Sequence, residues 1–191
     1  MRDHSFDERI AEIENPEHWQ KILAYGYQFE NLVYVPTKKC GSTYYSELFM
    51  GMGWKHTFLA DVGPDAVCFG LMMDPFKRHL KGLTEFVHFV MTKLKKYDET
   101  LYENTLDGNV VLGLILLNSV MPDSHTIPHS FYLEPYLDSI NWIPMDLYND
   151  NEIKNLLMEL FKANGHNITL PINDQRDRKS TRLNSSHTDI S

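Results

Sequence analysis

The sequence predicts an α/β fold: one domain built on a central, mostly parallel sheet with helices flanking both faces. Three observations carry this expectation. Short apolar runs bounded by Gly and Pro alternate with stretches of helical spacing, the order that lays helices over a parallel sheet. The run "LVYV" at Leu32–Val35 stops at Pro36 and passes through a tight small-residue turn into helix-like sequence. No internal repeat, low-complexity block or Pro/Ser-rich linker divides the chain.

Each element follows from local chemistry. Asn15 before Pro16 is an N-cap and first-turn pair for a helix to about Tyr25, closed near Gly26. Leu32–Val35 is a buried strand, and Thr43–Met52 is a helix stopped by Gly51 or Gly53. Trp54–Ala60 offers a second strand. Ala66–Met73 is another, a continuous apolar run between a Gly-Pro turn and Asp74-Pro75. Asp74 then caps a helix whose apolar positions recur from Phe76 to Leu94, with Lys93, Lys95 and Lys96 at the end where the helix dipole favours cations. Asn109–Val120, apolar on almost every side, is expected to be a buried helix, and Ser139–Ile143 a further strand. Asn149 with Glu152 opens a last helix in a capping-box pattern, and Gly165 stops it.

The 191 residues carry 18 Lys+Arg against 26 Asp+Glu, a net charge of −8. A broad nucleic-acid or anionic-membrane surface needs net positive charge, so neither partner is expected and any anion site must be a local basic cluster. Two cysteines, Cys40 and Cys68, imply no disulfide framework. The acidic N-terminus has no apolar leader core, and the longest apolar run, Val110–Leu117, is too short to span a bilayer. The expectation is a soluble cytoplasmic protein whose oligomeric state is not legible. Residues 177–191 differ in character: Asp177–His187 translates one frame of a common sequencing adapter, and Ile190–Ser191 resume it after a two-codon index. The domain is therefore expected to occupy residues 1–176 and to be truncated at its C-terminus.

The turn "PTKKCGSTYY" carries the chemistry. A short loop between a buried strand and a helix leaves the first N–H groups of that helix converging where the dipole also favours an anion. Gly41 lets backbone approach the ligand, Ser42 and Thr43 donate hydroxyl hydrogen bonds, and Lys39 adds a point charge. Lys39 precedes Gly41, whereas the ATP-type loop places its lysine after the second glycine.

The order in "KCGSTY" resembles the 5′-phosphosulfate loop of the sulfotransferases, enzymes that use 3′-phosphoadenosine 5′-phosphosulfate (PAPS). The "MDPFKRHLK" segment after the Ala66–Met73 strand is similar to their 3′-phosphate motif at Asp74, Pro75 and Arg78, with Met73 where the family has Arg and Lys81 where it has Ser. "DSHTIP" and the strand after it resemble the D-x-H-x-x-P-Q region of carbohydrate sulfotransferases, with His129 in place of Gln. The resemblance implies a P-loop-NTPase-like three-layer sandwich that moves a sulfuryl group from PAPS to a hydroxylated small molecule or glycan, with no metal. It implies cofactor contacts at Lys38, Lys39, Cys40, Gly41, Ser42, Thr43, Tyr44, Arg78 and Lys81. Lys39 takes the role of the lysine on the leaving oxygens, and Lys81 with Arg78 stands in for the missing Arg. For a base, histidine suits by its ordinary pKa. His56, in "KHT", matches the K-x-H base of cytosolic sulfotransferases and His125 is the second candidate; Glu85 and His88 are weaker ones. Rival expectations are a nucleotide-binding protein without turnover, a nucleotide-dependent kinase, and an enzyme using Cys40 as a nucleophile activated by its helix N-terminus and lysines.

Overall fold

The computed structural model describes residues 15–97, 99, 108–120 and 124–172. The tail 177–191, the acidic start 1–14 and Asp123 of the "DSH" segment lie outside the described residues. The chain divides into two compact units, Met1–Leu147 and Tyr148–Ser191.

The first unit opens with helix α1, Pro16–Leu23, whose Glu17 N–H donates to the Asn15 side chain at 2.9 Å. The expected run to Tyr25 is wrong: α1 ends at Leu23, and Tyr25–Phe29 forms strand β1. Gly26 is no helix stop. A Cβ there would lie 2.7 Å from Val33 Cγ1 and 2.8 Å from the Tyr34 carbonyl oxygen, so it lets β1 lie close against its neighbour. Strand β2, Leu32–Val35, follows through a two-residue turn with Glu30 left-handed at φ 52°. Helix α2 spans Ser42–Gly51, β3 Lys55–Phe58, β4 Val67–Met72 and helix α3 Pro75–Tyr97. Then come α4 Gly108–Val120, α5 His129–Leu133, a 3-10 turn Glu134–Ser139 and β5 Ile140–Pro144.

The five strands lie in the order β3-β1-β2-β4-β5. β2–β4 and β4–β5 are parallel, as the alternating pattern requires, while β1 pairs antiparallel with both β2 and β3. The sheet is thus mixed, because the hairpin strand β1 lies between β2 and β3. Strand alternation sorts its two faces. Tyr34 and Phe69, opposite each other in register, meet Phe49 of α2 with ring centroids 4.9 and 5.9 Å away; Tyr45 and Trp54 extend this aromatic layer. Val33, Val35, Cys68 and Ile140 face the other way, into a core with Trp19 and Leu23 of α1, Leu59, Ile127, and Tyr132 and Leu133 of α5.

Helix α3 starts as expected, with the Lys77 N–H donating to the Asp74 carboxylate at 2.9 Å. Helix α4 is not buried all round as expected: Leu112 and Leu116 are 54% and 59% exposed. Its composition gave no facing, and α4 packs on α3 along one side.

In the second unit, helix α6, Asp150–Ala163, opens on the expected capping box, with Asn149 and Glu152 exchanging backbone-to-side-chain bonds of 2.7 and 3.0 Å. Ile153, Leu157, Phe161 and Leu170 are buried, and so is Lys154, whose ammonium lies 3.0 Å from the Asp150 carboxylate one turn back.

Candidate functional site

The loop from β2 to α2 is anchored from below before it presents anything to solvent. Thr37 is fully buried and donates its hydroxyl to the Leu71 carbonyl, tying the loop to the end of β4. The Cys40 N–H closes a turn on the Thr37 carbonyl at 3.1 Å. Lys39 (φ 67°) and Gly41 (φ 73°) both take the left-handed conformation, so the chain reverses sharply on either side of Cys40. α2 starts on Gly41 without a side-chain cap, which leaves its first turn to face the cleft beside it.

That cleft holds about 300 Å³ and is lined by Lys38, Lys39, Gly41, Ser42, Thr43 and Tyr44 from the loop, Glu85 from α3, and His125. The Lys39 ammonium pairs with the Glu85 carboxylate. Six of the residues expected to hold the cofactor therefore line one cleft, together with one of the two preferred bases.

The turn that carries His125 is held by α3. Arg78 is 5% exposed and donates to the carbonyls of His125 at 3.2 Å and Thr126 at 3.3 Å. One turn along the same helix face, Gly82 lies so close to this turn that a Cβ would sit 2.4 Å from the His125 carbonyl oxygen. Burial lowers the Arg78 pKa, opposed by Tyr132 and Cys40. His129 supports the loop from the far side, its Nε2 lying 3.2 Å from the Lys38 carbonyl oxygen. Burial, reinforced by the Arg78 charge, pushes its pKa down to about 4; the ring is neutral at ordinary pH and Nε2–H is the donor.

The remaining candidates lie elsewhere. His56 sits on β3 opposite Tyr27, stacked 5.1 Å from the Tyr25 ring, and borders a separate depression with Gln28, Lys55 and Thr57. Cys40 is fully buried, and desolvation raises its thiol pKa against the opposing pull of Thr37, Met73, Arg78 and Lys81. The lowered pKa expected for a nucleophilic cysteine is corrected by that burial. Lys81 is exposed on α3 and does not line the cleft.

Sequence reasoning overlooked Thr37, Gly82, Asp146 and the supporting role of His129. Gly82 alone left a usable signal, as a lone glycine inside a helix marks a close approach. Asp146 follows β5 and accepts from the Asp74 N–H at the start of α3, with Lys77 Nζ 3.4 Å from its other oxygen. No protein-family model, curated protein or solved structure matches the chain.

Proposed function

We propose that the protein is a sulfotransferase of P-loop-like three-layer architecture that moves a sulfuryl group from PAPS to a hydroxyl acceptor, in the first instance a carbohydrate. One observation carries this reading: the cleft that joins Lys39, Gly41, Ser42 and Thr43 of the β2–α2 loop to His125. The loop supplies amide and hydroxyl donors and a lysine for a group that gains charge as it leaves, and the opposite wall supplies a base. In the proposed step the acceptor oxygen forms its bond to sulfur as the bond from sulfur to the 5′-phosphate oxygen breaks. The hydroxyl proton passes to His125, and the electron pair departs on the phosphate, stabilised by Lys39. Such transfers depend on alignment and on charge stabilisation more than on covalent help from the protein. The incoming phosphosulfate replaces Glu85 as the partner of Lys39. His56, on the far strand, has no part in this step.

The test is transfer of labelled sulfate from PAPS to a panel of hydroxylated acceptors. Lys39→Ala should lower turnover by about 10²–10³, the usual effect of losing one such donor. A variant that keeps most of its activity would refute the mechanism. A second reading, a nucleotide-binding protein without turnover, is favoured by Met73, whose buried thioether offers no donor to a second phosphate. It predicts nucleotide binding with no transfer to any acceptor.

A further inference from the structure

We propose that the site recognises its nucleotide through the 5′-group alone and gives a 3′-phosphate no net attraction, because the carboxylate of Asp146 holds the second anion position. This rests on the reading of the β2–α2 loop as a 5′-phosphosulfate cradle. The resemblance puts this second position, that of the 3′-phosphate, at the start of α3, where the end of β4 delivers Met73 and Asp74. A phosphate there would need cations and unfilled backbone donors, and Arg78, Lys77 and the Asp74 N–H are already committed.

Arg78 has turned its guanidinium inward to the carbonyls of His125 and Thr126, at 3.2 and 3.3 Å, and is 5% exposed. Met73 is 6% exposed and has no N–H to offer from its side chain. Asp146 does what a bound anion would do. The Met145 N–H bonds the Met72 carbonyl at 2.9 Å, which brings the turn after β5 against the end of β4. From there one oxygen of Asp146 accepts the Asp74 N–H and the other faces Lys77. The hydrogen bond from Asp74 is the main cause holding the Asp146 carboxyl below its ordinary pKa, with Lys77 and Lys81 adding to it. Helix N-terminus, ammonium and carboxylate thus form a neutralised set within the chain. A 3′-phosphate brought to it meets a like charge at short range and must displace a tethered ligand.

The donor class that follows is the nucleoside 5′-phosphosulfates with or without a 3′-phosphate, and the corresponding products bind alike. Equilibrium binding of the full chain to adenosine 5′-monophosphate and to adenosine 3′,5′-bisphosphate tests this, with Asp146→Asn measured alongside. The wild type should bind the two within about threefold. Asp146→Asn should gain about tenfold for the bisphosphate, with the gain confined to that nucleotide. A wild-type preference of tenfold or more for the bisphosphate would overturn this inference and leave the cradle standing. So would an Asp146→Asn variant with unchanged discrimination. Failure of both nucleotides to bind would overturn the cradle itself, and this inference with it.

Discussion

Replacing Gly82 by alanine pits two effects of opposite sign against each other. In an open helix the exchange stabilises by about 0.5–1 kcal/mol, because alanine loses less backbone freedom on folding. Here the new Cβ would stand 2.4 Å from the His125 carbonyl oxygen, 3.0 Å from its carbon and 3.2 Å from Thr126 Cγ2. Two of those atoms are backbone, so no rotamer change relieves the contact, and either α3 or the 124–126 turn must move by several tenths of an ångström. The Arg78 bonds to the same carbonyls are already 3.2 and 3.3 Å long, and that displacement stretches them beyond useful range. Overpacking of this kind costs about 1–3 kcal/mol. Set against the helix gain, Gly82→Ala should be less stable by up to about 2.5 kcal/mol, a fall in Tm of up to roughly 10 °C for a chain of this size. Urea and thermal unfolding measure it. A variant more stable than wild type by about 0.5–1 kcal/mol would refute the close approach of α3 to the His125 turn.

Two further outcomes follow from groups around the loop. His129 binds no proton in the folded state until the pH nears 4, while in the unfolded chain it protonates around 6.5, so folding stability is lost as pH falls between those values and levels off below them. Relative to His129→Gln, which keeps a donor for the Lys38 carbonyl, the wild type should lose up to about 2 kcal/mol between pH 7 and pH 5, and parallel urea-unfolding profiles would contradict this. Tyr34 is buried among aromatic rings with its hydroxyl lacking a hydrogen-bond partner among the described residues. Tyr34→Phe should therefore be neutral or stabilising by up to about 1 kcal/mol in chemical denaturation, and a clear loss of stability would show that the hydroxyl has a ligand.

Much of the fold was legible because its signals are local. Asn15, Asp74 and the Asn149–Glu152 pair act within a turn of their own position, and the apolar runs at Leu32–Val35 and Val67–Met72 are dense enough to be read as strands. Strand β1 was not, because its five residues have no sharp alternation and owe their conformation to partners at Val33 and His56 that no window of sequence contains. The loop side of the cleft was legible for the same reason as the caps: its residues adjoin one another. Its walls were not, because a cation in a motif carries no direction. Arg78 reads as an anion ligand and turns instead to two carbonyls, while Glu85 and His125 come from separate segments to face Lys39. His56 matched a motif by spacing, and the β3–β1 pairing carries it to the opposite side of the sheet from β4 and β5.

The sheet order also bears on how the site comes into being during folding. Strands β1, β2 and β3 lie close in sequence, within Tyr25–Phe58, whereas β5 must return from the far end of a long crossover to pair with β4. Closing long loops is the slower event. The 124–126 turn lies inside that crossover, while Thr37 ties the β2–α2 loop to Leu71 of β4, so the two walls of the cleft depend on pairings of different sequence range.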